Sequence, residues 1–159
     1  MNEGSRSAAT TLSAVNNAVH ERLASRYLDL LEAFTACRYD EAVTCFAGLG
    51  ALLEAHLQLE EVHVVPLAAD VDDQMARLLT GDHLILQRRL SHLTDLLGRF
   101  ATDQPPRRAM VQALPELLRL GAVLEHHHLR EEQFYPHLEQ TLPVAELEFL
   151  MATLRTAES

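Results

Sequence analysis

The stretch "EHHHLREEQFYP", residues 125–136, sets three consecutive histidines ahead of two consecutive glutamates. Adjacent residues on a helix are splayed by about 100°, so three neighbouring imidazoles cannot serve one site together. The surrounding apolar residues choose among them. Leu117, Leu120, Leu124, Phe134 and Leu138 recur in steps of three and four, and that seam passes through His127 and Glu131. A second stretch, "HLQLEEVHVVP" at residues 56–66, repeats the arrangement on the seam Phe46, Leu49, Leu53, His56, Glu60, His63, Leu67. A third seam runs Leu79, His83, Leu86, Leu90, Leu93, Leu97, and near the start His20 shares a face with Ala24, Tyr27, Leu31 and Phe34. Each of the four periodic segments therefore carries a histidine among its apolar residues, and two follow it one turn later with a glutamate.

These segments predict an all-α fold. The first helix starts near Leu12 and stops around "CRYD", where Asp40 can cap the second; the second ends before "DVDD". The third runs from about Gln74 to Phe100, "TDQPP" breaks the chain, and the fourth spans about Arg107 to Gln140 with a kink or restart at Pro115. Four long amphipathic helices with short connections predict an up-down-up-down antiparallel four-helix bundle over residues 12–140. Residues 1–11 are expected to be a flexible start. Residues 142–157, opened by Pro143, are expected to form a short extra C-terminal helix on the bundle or on a partner, a second copy or a regulatory protein.

Composition narrows the function. The 159 residues suit a single domain with its own core. A net charge of −10 with only 13 basic residues argues against nucleic acid or an anionic membrane surface as the partner. No apolar stretch reads as approaching the roughly 20 residues of a membrane span, and the start "MNEGSRSAATTLS" is not built like a signal peptide, so a cytoplasmic protein is expected. Cys37 and Cys45 form no CxxC pair and are expected to be free.

Counting outward from each predicted turn brings His20, His56, Glu60, His83, His127 and Glu131 to about one height. Four imidazoles and two carboxylates in a leucine-rich core cost several kcal/mol per ion unless something compensates them, a total comparable to the stability of a domain. Metal ions compensate: imidazole nitrogen and carboxylate oxygen suit iron, zinc and manganese, and a carboxylate can bridge two ions. The alternative, neutral histidines bonded to the glutamates without metal, leaves most of that cost standing.

With a lone His20, "HLQLE" from His56 to Glu60, "DH" at His83, and "HLREE" from His127, residues 15–140 resemble the hemerythrin or HHE cation-binding family. The endings "EEVHVVP" and "EEQFYP" also resemble that family, in which an apolar pair and a proline follow the ligand pair. The resemblance implies a carboxylate-bridged centre of two iron ions, with His20 and His56 on one side, His83 and His127 on the other, and Glu60 and Glu131 bridging. It implies a small diatomic or peroxide ligand, and either reactivity towards it or a redox-sensing role that controls a protein partner. The chain departs from the oxygen-carrier branch at Gln87, where that branch has a further histidine.

Three positions stay open in the sequence. His63, one turn past Glu60, reads either as an extra ligand or as a seam-end histidine bonded to backbone or water. Tyr27 reads as core or as a hydroxyl aimed at the metal layer. His126 competes with His127, because Pro66 lies ten residues past His56 and Pro136 ten past His126; a local bulge in the fourth helix would allow that register. Glu61 and Glu132 are expected to face water.

Overall fold

The structure, a computed structural model, describes residues 11–100 and 107–156. The segment taken as a flexible start, except Thr11, lies outside the described residues, as does the "TDQPP" break. The chain is all-helical, with no strand among the described residues. Five helices follow one another: α1 (Leu12–Thr35), α2 (Tyr39–Val71), α3 (Asp73–Phe100), α4 (Arg107–Thr141) and α5 (Val144–Thr156).

Their ends have local causes. The Thr11 side chain accepts from the Ala14 amide and caps α1. At the other end Arg38 N–H donates to the Ala33 carbonyl and Cys37 N–H to the Phe34 carbonyl, with Cys37 itself at φ 56°. This is the paired-bond helix stop that usually takes glycine, so the α1–α2 turn carries the strain of a left-handed non-glycine residue. Asp40 does not cap α2; it lies in the first turn, where a negative charge still faces the positive end of the helix dipole. Helix α2 runs two residues into the acidic "DVDD" rather than ending before it, and α3 starts at the last of the four, with Asp72 Oδ1 accepting from the Met75 amide. Neither Pro115 nor Pro136 breaks α4.

Helix α2 departs from the seam at one place. Residues Glu60–Val64 form a π turn, sandwiched between α-helical Tyr39–Leu59 and Val65–Val71. A π turn inserts an extra residue and rotates everything after it by about 100°. The seam therefore continues from Glu60 through Val64 and Ala68, both buried, rather than through His63 and Leu67, which are half-buried. By length and composition α2 is also able to cross a membrane, with mean hydropathy 1.3 over its most apolar window, which corrects the sequence expectation. In the fold its stripe of Leu49, Leu53 and Leu57 is buried in a core shared with α1, α3 and α4.

Helix α1 packs against α2 and α4, α3 packs against α4 and the end of α2, and α5 lies on α1 and α2. Contacts between α1 and α4 run in opposite order along the two helices: Asn16 meets Glu131, His20 meets His128, and Tyr27 meets Leu117 and Gly121. Two apolar clusters result. One gathers Leu23, Leu53, Leu90 and Leu117 with their neighbours; the other gathers Leu12, Val64, Leu79, Phe134 and, from α5, Leu150 and Leu154. Along their helices Glu60, His83, His127 and Glu131 fall between the residues of these two clusters, and His20 and His56 sit at the edge of the first, so a polar layer divides the core. Each fully buried leucine contributes about 1.5–3 kcal/mol, enough for the two clusters to hold the polar layer in place.

The Tyr27 ring presses on Gly121, where a β-carbon would overlap it, and the Tyr27 hydroxyl donates to the Leu117 carbonyl at 3.1 Å. Gly121→Ala is expected to destabilise the chain by about 1–3 kcal/mol in a denaturant titration, because the ring is tied at its hydroxyl and cannot swing away.

Candidate metal centre

All six residues read from the seams are brought together and buried: His20, His56, Glu60, His83, His127 and Glu131. Each histidine turns Nε2 inward. His20 Nε2 lies 2.9 Å from His56 Nε2 and 2.9 Å from Glu131 Oε2. Glu60 Oε2 is 3.5 Å from His56 Nε2, 3.3 Å from His83 Nε2 and 3.6 Å from His127 Nε2. His127 Nε2 is 3.2 Å from Glu131 Oε1. Glu131 thus spreads its two oxygens between His20 and His127.

Two groups emerge whose ligand atoms lie within 4.8 Å of one another: His20, His56, His127 and Glu131, and Glu60, His83, His127 and Glu131. They share His127 and Glu131; the two oxygens of Glu131 can serve both groups at once, whereas His127 Nε2, with its single lone pair, can serve either group but only one at a time. Several of the inward atoms, among them Glu60 Oε2, His83 Nε2, His127 Nε2 and Glu131 Oε1, have no hydrogen-bond partner among the described residues. Buried polar atoms without partners cost about 1–3 kcal/mol each, more for charged groups. Lone pairs of imidazole and carboxylate aimed at common points are the donor set a divalent cation takes, so the buried cluster could hold a metal ion.

Among the four histidines only His83 has its outward Nδ1 hydrogen-bonded among the described residues, while several residues that sequence reasoning did not assign to the site brace the layer. His83 Nδ1 pairs with Glu61 Oε1 at 2.5 Å, which corrects the expectation that Glu61 faces water. His127 Nδ1 faces Asp82 Oδ2 at 4.0 Å, and Asp82 is itself held by Arg130 at 3.0 Å. Asn16 Nδ2 donates to Glu131 Oε2 at 3.0 Å, and the Tyr135 hydroxyl donates to Glu60 Oε1 at 2.6 Å. A carboxylate on the outer nitrogen fixes the ring's tautomer and orientation and leaves Nε2 free to coordinate. A signal for two of these lay in the sequence: Asn16 stands four before His20 and Tyr135 four after Glu131, each on its ligand's face.

The open positions are placed plainly. His126 is exposed, with Nε2 accepting from Arg130 at 2.6 Å, and belongs to neither group. The bulge that would have favoured it lies in α2 instead. His63 is rotated away by that π turn and sets its ring edge-on against Phe149 of α5, 5.4 Å between centroids. Tyr27 spends its hydroxyl on the Leu117 carbonyl. His128 does not stay at the surface: it is half-buried, with its ring 4.1 Å from that of His20.

Without metal, the layer divides its protons unevenly. Burial pushes His20 down from 6.5 to about 4 and His56 to about 3. Burial would lower His83 and His127 as well, but the Glu60 and Glu61 carboxylates around His83, and those of Glu131 and Glu60 around His127, outweigh it and raise both. Glu60 is held well below the usual carboxylate range by His56 charge and by His127 and His83, against its burial, whereas burial and the neighbouring Glu60 charge raise Glu131 well above it. Two buried carboxylates this close oppose each other's ionisation, which raises Glu131 while the surrounding histidines hold Glu60 low.

The chain matches no protein-family model, no curated protein and no solved structure. The site is read from its own geometry.

Tyr135 makes the sharpest local prediction. Its hydroxyl is buried and pushed well above the usual phenol range by burial and by Glu60, so it stays protonated and donates to Glu60. Tyr135→Phe is expected to cost about 1–3 kcal/mol of stability and to weaken metal binding roughly 10–100-fold, measured by denaturant titration and by competition with a chelator.

Proposed function

We propose that the polar layer is a non-heme di-iron centre of the hemerythrin type, held in an up-down-up-down antiparallel four-helix bundle, that binds or reacts with dioxygen, nitric oxide or peroxide. The observation that carries this reading is the sharing of His127 and Glu131 by two four-residue groups. One group alone would suit a single ion. Two overlapping groups suit a pair joined through a carboxylate, with His20 and His56 towards one ion and His83 and Glu60 towards the other. When bound, such a pair supplies open coordination positions and two electrons that can be exchanged with a small ligand.

The chain's own residues do the rest. The four imidazoles contribute neutral donors, so the pair is balanced by two carboxylates and keeps net positive charge towards an incoming ligand. The two apolar clusters exclude water above and below the layer. The Tyr135 hydroxyl holds Glu60 Oε1, and Asn16 holds Glu131 Oε2, so neither carboxylate is free to turn away.

A second reading is favoured by α5. Its Leu150 and Leu154 are buried in the cluster that also holds Tyr135 and Val64, one turn from Glu60, while Phe149 is 54% exposed. A change at the layer would be felt by α5, which fits a sensor whose state a second copy or a regulatory protein reads. Loading the purified chain with iron(II) without oxygen and recording visible spectra on addition of dioxygen, nitric oxide and peroxide tests the first reading. New charge-transfer absorption supports it; a chain that takes up only zinc or manganese, or iron that stays silent to all three, overturns it. Removing residues 143–159 should leave those spectra unchanged and abolish partner binding if α5 is the transmitter.

A further inference from the structure

A cleft of about 560 Å³ opens between α1 and α4, with its inner end on the polar layer. Along α1 its wall runs from His20 to Leu31, eleven positions or about 16 Å. That is the size of sites for small organic molecules, roughly 300–1,000 Å³, and far more than a diatomic ligand fills. Its polarity is graded. His20, His127 and His128 stand at one end; beyond them Leu23, Leu31 and Leu124 make the wall apolar. Tyr27 adds only its ring, because its hydroxyl is already bonded to the Leu117 carbonyl.

The lips are apolar too. Leu28 is 61% and Leu118 50% exposed, one from each helix, so a molecule lying in the cleft would remove both from water. Among the described residues no arginine lines the cleft, and the one carboxylate or guanidinium there is that of Glu125. In a chain of net charge −10 this disfavours an anionic ligand.

We propose that this cleft binds a neutral medium-chain aliphatic molecule with a single hydrogen-bonding end group, its chain along Leu23, Tyr27 and Leu31 and its end group at His20 and His128. That the end group also meets the metal centre rests on the di-iron reading. Binding in the cleft does not.

The test is a fluorescence titration of the full chain with N-phenyl-1-naphthylamine, a neutral apolar probe, followed by displacement with 1-decanol and with decanoate; metal content is measured on the same samples. One saturable site is expected, displaced by 1-decanol and more weakly by decanoate. Ala24 lies on the cleft wall and is exposed, so Ala24→Trp fills the cleft without displacing buried neighbours. It should weaken the probe roughly tenfold or more, with helicity and metal content unchanged. Leu28→Asp, on the lip, is a second variant with the same expected direction, and Ala47→Trp on the exposed face of α2 should leave affinity as it was. Absence of saturable binding, wild-type affinity in folded Ala24→Trp and Leu28→Asp, or displacement by decanoate in preference to 1-decanol each overturns the proposal. A chain that binds the probe but no metal upholds the cleft and sinks the di-iron reading; a chain that binds metal but no probe does the reverse.

Discussion

On the di-iron reading, Glu131→Ala is expected to release both ions, whereas His83→Ala releases one. Glu131 belongs to both four-residue groups and puts Oε2 at His20 and Oε1 at His127, so its removal takes a ligand from each ion and any bridge between them. His83 belongs to one group only. Loss of an outer partner alone costs roughly 10–100-fold in affinity, and loss of a shared ligand must exceed that. Metal content after dialysis, read by atomic emission, distinguishes the two variants. The stability signature follows by mass action: at a thousandfold excess of metal over its dissociation constant the wild-type chain gains about 4 kcal/mol, and Glu131→Ala gains nothing. Equal metal content in Glu131→Ala and His83→Ala would show that the shared carboxylate is not central.

The second large effect is on pH. In the metal-free chain His20 and His56 have depressed values of about 4 and about 3 against 6.5 when unfolded. Between pH 6.5 and about 4 the unfolded chain therefore binds more protons than the folded one, and stability falls as pH falls through that window. For groups so fully buried the loss is of order 3 kcal/mol each. Glu60, held low, adds to the loss at the acid end of the window. His83 and His127, held above 6.5, act oppositely: their contribution is complete below 6.5 and is lost as pH rises past their folded values. Glu131, held high, likewise favours the folded chain on the acid side. The two groups partly cancel. Urea titrations of the metal-free chain from pH 7.5 to 4 should show stability declining below 6.5, and His20→Gln should flatten that decline. A wild-type chain whose stability is level or rises on acidification to pH 4 would contradict the burial of neutral His20 and His56.

Where the helices are regular, the sequence was enough. All six seam residues of α3, from Leu79 to Leu97, are buried, and on α4 only Leu124 falls short. Apolar steps of three and four read correctly there because nothing interrupts the helical phase. On α2 the same reading fails just past Glu60, because a π turn costs one residue of phase and leaves no mark in "EEVHVV" that periodicity can detect. On α1 the face was taken one step off: Ala24 is exposed and Leu31 half-buried, while Leu23 and Leu30 fill the core. The cleft is the cause, since Ala24 and Leu31 line it. The burial of the six histidines and glutamates was legible because they fall in phase with the apolar seams of their helices. Of their supports, spacing could place Asn16 and Tyr135 on the right faces but could not pair them: Asn16 with Glu131, Tyr135 with Glu60 and Glu61 with His83 are contacts between helices, which depend on rotation about each helix axis.

The most direct measurement of the central claim is the anomalous scattering of crystals of the chain loaded with iron. Two peaks per chain are expected inside the polar layer, with Glu131 adjoining both, His20 and His56 at one, His83 and Glu60 at the other, and His127 at one of the two. A single peak, or peaks at His63, His126 or elsewhere outside the layer, would contradict it.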